Sequence, residues 1–142
     1  MATSPITDEA LAAQEACFGR AFAAGDLAIA RPLYHPEVVY LSPTVRLFGW
    51  PARIEGVART LEFIGLTVRG LEGIDYRAVE HAIVAGGGAA FVRIHFDWTR
   101  AGERLRSSYV VVYRYRDGLI AQQELYYDPS GRLEVLAAGG VR

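Results

Sequence analysis

Residues 91–99, FVRIHFDWT, put a large apolar side chain at every second position: Val92, Ile94, Phe96 and Trp98. Period-two alternation predicts a β-strand with one buried face. Comparable runs predict strands near 70–84, 89–99, 104–116 and 119–128, with GGG (86–88), RAGE (100–103) and RDG (116–118) as the turns between them. The first half of the chain has a helical period. Thr7 or Asp8 can cap a helix running to about Ala24, and AGD (24–26) stops it and caps a short second helix over LAIARPLY (27–34). HPEVVYLSP (35–43) reads as a turn, a strand of β-branched and aromatic residues, and a breaking proline. Trp50, Ile54, Val57, Leu61 and Ile64 fall on one stripe and predict a third helix starting near Trp50. Helices first and an antiparallel meander after them indicate an α+β fold. Three amphipathic helices covering a curved sheet leave a cone between the layers, the usual place for an apolar ligand.

Arg93, His95 and Asp97 stand between the apolar residues of 91–99, and the turn that follows decides which way they face. A two-residue turn at Ala101-Gly102 sets Arg100 opposite Glu103, Asp97 opposite Arg106 and His95 opposite Ser108, giving two pairs of opposite charge. One face is then Arg93, His95, Asp97, Arg106, Ser108, Arg114 and Arg116, with Val110 and Val112 among them. The other is Val92, Ile94, Phe96, Trp98, Leu105, Ser107, Tyr109, Val111, Tyr113 and Tyr115. A three-residue turn would flip the first strand and bury three charged or ionisable groups beside Tyr109, which is costly outside an active site. Consistency of pattern favours the charged face outward, as a surface or a homodimer contact. The inward alternative would make His95 a base oriented by Asp97 and Arg93.

The chain has 142 residues and a net charge of −1, so it fits one domain (1–142) with a single core, and it has no basic field for nucleic acid or an anionic membrane. One cysteine, Cys17, rules out an internal disulfide framework. The N-terminus lacks the basic region of a signal peptide, and no run of about 18 apolar residues offers a membrane span. A cytoplasmic location is expected. Three scattered histidines show no paired ligand spacing, and GGG joins strands without opening a helix, so neither a metal site nor a phosphate loop is expected.

The segments AFAAGDLAIARPLYHPEVVYLSP, FGWPARIEG and VYRYRDGLIAQQELYYD resemble the nuclear transport factor 2-like superfamily, in its SnoaL-like and ketosteroid-isomerase-like branches. The resemblance covers nearly the whole chain. It implies a cone-shaped α+β barrel, an apolar pocket and dimerisation through the outer face of the sheet. Its members include isomerases, dehydratases, polyketide cyclases, epoxide hydrolases and pure binding proteins, so the fold alone does not give the activity. Where the ketosteroid isomerases have a general-base Asp, an oxyanion-hole Tyr and an oxyanion-hole Asp, this chain has Ser42, Phe18 and Val111. Where limonene-epoxide-hydrolase-like members have an Arg and two Asp, it has Val92, Ile94 and Leu125. Their first-strand Tyr and Asn match Tyr40 and, imperfectly, Ser42. Neither recognised mechanism has its acids here.

The remaining inward polar groups are Tyr40 and Ser42 on the first strand, Ser107, Tyr109 and Tyr113 on the fourth, and Gln123 and Tyr127 on the last. Tyrosines can donate to a carbonyl or steady an oxyanion, or simply form an amphipathic wall. Glu15 shares a helix face with Leu11, Phe18 and Phe22, and a carboxylate in that stripe would have a raised pKa, as a general acid or base requires. The alternative is a rim carboxylate, solvated or paired. Candidate catalytic residues are therefore Glu15, Tyr40, Ser42 and Tyr109, with Phe18, Trp50, Val57, Leu61, Ile94, Phe96, Trp98, Val111, Tyr113, Gln123, Leu125 and Tyr127 as pocket walls. The expected function is binding of a small, mostly apolar molecule, by a cofactor-free lyase, isomerase or cyclase or by a non-catalytic binding or scaffolding dimer.

Overall fold

The structure, a computed structural model, describes residues 5–128. Helix α1 spans Asp8–Ala24; the Thr7 hydroxyl accepts from the Ala10 amide at its start, and Gly25, at φ 66°, closes its end. Asp26 caps a 3₁₀ helix, Leu27–Leu33, which leads into strand β1, Tyr34–Leu41. A second 3₁₀ helix, Pro43–Leu47, follows, then the two-residue strand β2, Ile54–Glu55, and helix α2, Val57–Val68. Four long strands complete the described chain: β3 Glu72–Ile83, β4 Ala89–Arg100, β5 Glu103–Arg116 and β6 Leu119–Tyr127. The sequence YYDPSG (126–131) predicts a turn that starts at Asp128 after the last strand, and its residues beyond Asp128 lie outside those described.

These strands form one sheet in the order β2-β1-β6-β5-β4-β3, in which only the β1–β6 pairing is parallel. The fold is α+β with a mostly antiparallel sheet. Helix α1 packs against β3 and the first 3₁₀ helix, and α2 packs against β1. The third helix begins at Val57 and not near Trp50. Pro51 disfavours helical backbone at Trp50, and Gly56, at φ 92°, bends the chain just before the helix. Trp50 instead reaches the core from a loop, its ring 5.1 Å from that of Phe63. Fully buried Phe63 also meets Tyr40 and Phe48, and burying one such side chain stabilises the fold by about 2–3 kcal/mol.

The hairpin between β4 and β5 has the two-residue turn. Arg100 pairs with Glu103, Asp97 with Arg106 and His95 with Ser108. Ala101 and Gly102 both take positive φ, 50° and 80°, the geometry that matches the twist of the flanking strands. Val92, Ile94, Phe96 and Trp98 are consequently all buried. Arg93, His95 and Asp97 occupy the opposite face of the sheet, and the inward arrangement of that row does not occur.

Candidate functional site

Between the helices and the inner face of the sheet lies a narrow cavity, part of it continuous with solvent. Each element contributes through its own periodicity. Helix α1 presents Phe18 and Phe22 one turn apart, and the last turns of α2 present Ile64, Thr67 and Val68. The strands present alternate residues: Tyr40 from β1, Tyr76 from β3, Phe96 from β4, Ser107, Tyr109 and Val111 from β5, and Gln123, Leu125 and Tyr127 from β6. Phe22 packs edge-on against Phe96 at 5.2 Å and stacks on Tyr76 at 5.1 Å, so one end of the cavity is an aromatic box.

The other end is hydroxylic. The Tyr109 and Tyr127 rings lie 5.0 Å apart, and Tyr40 stands close enough for its hydroxyl to interact with both. Burial, and after it the mutual proximity of the hydroxyls, holds Tyr40 and Tyr109 well above the ordinary tyrosine range. Burial also raises Tyr127, against a smaller opposing effect of hydrogen bonding to Ser42 and Thr44. All three are therefore neutral hydrogen-bond donors at physiological pH. Ser42 does not line the cavity. Its hydroxyl caps the second 3₁₀ helix and lies 2.8 Å from Thr44 Oγ1, supporting Tyr40 and Tyr127 from behind.

Glu15 is buried beneath α1, in the groove between α1 and β3, and does not line the cavity. The Tyr76 side chain stands between them, because it lines both spaces. Its hydroxyl donates to Glu15 Oε1 at 2.5 Å, and Gln14 Nε2 donates to Oε2 at 3.0 Å. The Tyr115 hydroxyl in turn donates to Gln14 Oε1 at 2.9 Å. The Tyr113 hydroxyl makes no hydrogen bond among the described residues, yet it is buried near enough to the carboxylate to favour the charged form. Desolvation outweighs all of these and raises the Glu15 pKa.

Of the sequence candidates, Tyr40, Tyr109, Phe18, Phe96, Val111, Gln123, Leu125 and Tyr127 line the cavity. Val57, Ile94, Trp98 and Tyr113 are buried in the core around it, and Trp50 and Leu61 pack against that core, but none of the six lines it. Tyr76, Phe22, Ile64, Thr67, Val68 and Ser107 complete the wall. Tyr76 has the weakest signal in sequence. It sits on an edge strand, mostly exposed, whose pairing shifts between Glu72 and Asp75 and again between Ala78 and Glu80, so face alternation cannot be followed through it. On the outer face, Asp97 is covered by arginines. Arg106 makes two contacts, at 2.7 and 3.1 Å, and Arg77 one at 3.4 Å. Hydrogen bonding to Arg106 holds the Asp97 carboxyl below its ordinary range, as for a structural ion pair.

The described residues contain no cluster of metal-ligating side chains and no helix long and apolar enough to cross a membrane. The sequence model of the family described as SnoaL-like domain matches residues 15–123. A Bacillus subtilis protein proposed to be an isomerase has a similar structure, with TM-score 0.72 at 23% identity over 91% of this chain and 92% of that one. TerC, crystallised with polyporic acid, aligns with TM-score 0.71 at 20% identity over 88% and 96% of the two chains. An epoxide hydrolase of the limonene-epoxide-hydrolase type from Mycobacterium tuberculosis aligns with TM-score 0.64 at 19% identity over 89% of each chain. A search of curated proteins finds no match.

Proposed function

Because this chain belongs to the SnoaL-like domain family, we propose that it binds a small, mostly apolar organic molecule in the cone between helices and sheet, and that it acts there as a cofactor-free lyase, isomerase or cyclase. The carrying observation is the division of the cavity into an aromatic box and a cluster of three buried, neutral tyrosine hydroxyls. A flat hydrocarbon frame would lie against Phe18, Phe22 and Phe96. An oxygen at its other end would accept from Tyr40, Tyr109 or Tyr127. Donors already in place stabilise negative charge as it develops on such an oxygen. Glu15 is the candidate proton acceptor, acting through Tyr76: the Tyr76 hydroxyl passes its proton to the Glu15 carboxylate as it takes one from the ligand. Small-molecule binding by a protein of this fold, TerC with polyporic acid, supports the binding half.

One observation favours non-catalytic binding instead. Tyrosine is the only ionisable residue type among the described residues that line the cavity. Both roles are tested with 1-indanone, a flat ketone with exchangeable α-protons. As an enzyme, the protein accelerates exchange of those protons in heavy water. Glu15→Gln then slows it by about 10²–10⁴ while the fold is retained, and Tyr109→Phe slows it by about 10–100. Binding of 1-indanone without acceleration overturns the catalytic role and leaves a binding protein.

A further inference from the structure

Gln123 lies on β6, almost wholly buried, with its side chain in the cavity wall. Its amide oxygen is engaged from behind. The hydroxyl of Tyr34, at the start of β1 and only 4% exposed, lies 2.6 Å from Gln123 Oε1. That length suits an O–H···O bond and is shorter than the range of about 2.7–3.2 Å for N–H···O. The Tyr34 hydroxyl donates to this amide oxygen. Among the described residues the Tyr34 hydroxyl has no other hydrogen-bond partner, and Gln123 Nε2 has none. An amide nitrogen carries two donors and cannot accept. In the cavity wall these donors are available to an occupant that can accept from them.

We propose that Gln123 selects ligands bearing a hydrogen-bond acceptor of the carbonyl class, and that Tyr34 is the positioning residue that fixes which end of the amide faces the cavity. This rests on the cavity being the ligand site. It adds a sequence-encoded preference to it: a ketone, quinone or ester carbonyl over the matching hydrocarbon. Replacing Tyr34 by Phe would free the amide to turn, because its oxygen would no longer have a donor behind it.

The test compares 1-indanone with indane, which differ only by C=O against CH₂. The quantity read is the ratio of their affinities, so that the cost of desolvating each ligand cancels between variants. Gln123→Leu lowers the indanone preference by about tenfold. Tyr34→Phe lowers it by about threefold and leaves indane affinity unchanged, which a merely structural defect would not do. In the unmodified protein, the Gln123 side-chain amide protons move downfield on adding 1-indanone, as hydrogen bonding to a carbonyl requires, and not downfield on adding indane, a readout that needs no variant to fold. An unchanged ratio in Gln123→Leu, or amide protons that ignore 1-indanone, overturns the assignment. A ratio lost in Gln123→Leu but intact in Tyr34→Phe overturns the part given to Tyr34. If neither probe binds the unmodified protein, the cavity fails as a ligand site and this selectivity fails with it. If both bind and the ratio ignores Gln123, only the selectivity falls.

Discussion

A carboxylate inside an apolar helix stripe is costly unless a cation pairs with it, and Glu15 has no cation within ion-pair distance among the described residues. Its partners are neutral, Tyr76 and Gln14, and its pKa is raised by burial. A folded-state pKa above the unfolded value means the folded protein holds the proton more tightly. The stability this contributes is present below about pH 4.5, the unfolded value, and is lost as pH rises through the raised folded value. Thermal melts of Glu15→Gln and the unmodified protein should therefore diverge in favour of Gln with rising pH, by at most about 1.4 kcal/mol per pH unit. Parallel curves would mean that Glu15 titrates alike folded and unfolded. Spacing on α1 was enough to single out Glu15, but not to show what shields it. Tyr76 sits 61 positions away in sequence on an irregular edge strand, and only the packing of α1 on β3 brings the two together.

Among the elements, the hairpins were the most legible, because turn chemistry and strand alternation point to the same register. Two opposite-charge pairs across the Ala101-Gly102 turn, with the apolar residues of both strands on one face, admit one arrangement at low cost. The same geometry recurs at Asp117-Gly118, both at positive φ. Ala101 is the weak point, since a left-handed alanine has a steric penalty of about 1–2 kcal/mol. Asn tolerates that conformation without glycine's extra entropy cost, so Ala101→Asn should stabilise the protein by about 0.5–1 kcal/mol in denaturant unfolding. A loss of stability would contradict the turn geometry. The start of α2 was not legible in the same way. An apolar stripe continued back to Trp50 across Pro51 and Gly56, and tertiary packing on Phe63 had put Trp50 in that stripe without any helix. Strand β2, two residues long, leaves too little pattern to detect.

On the scale of the whole molecule, sequence showed the fold more fully than the chemistry. Layer composition follows from periodicity, which every element repeats. A cavity wall follows from at most a few residues in each of seven elements, and long-range packing decides which of them reach it. Trp98 and Ile94 alternate in step with Phe96 yet only Phe96 lines the cavity, because α1 and the end of α2 leave space over that part of the sheet. The resemblance sets Ser42, Phe18, Val111, Val92, Ile94 and Leu125 where two recognised mechanisms have Asp, Tyr or Arg, and the described cavity lining offers neutral donors. The central claim is that this cavity is where a ligand binds. Its most direct test is to follow the backbone amide signals of the isotopically labelled protein as 1-indanone is added. Binding in the cavity shifts Thr67, Ser107, Tyr109, Val111 and Leu125 most, saturably and together. Shifts confined to the outer face, at Arg93, Val110 and Val112, or no shifts at all, would contradict it.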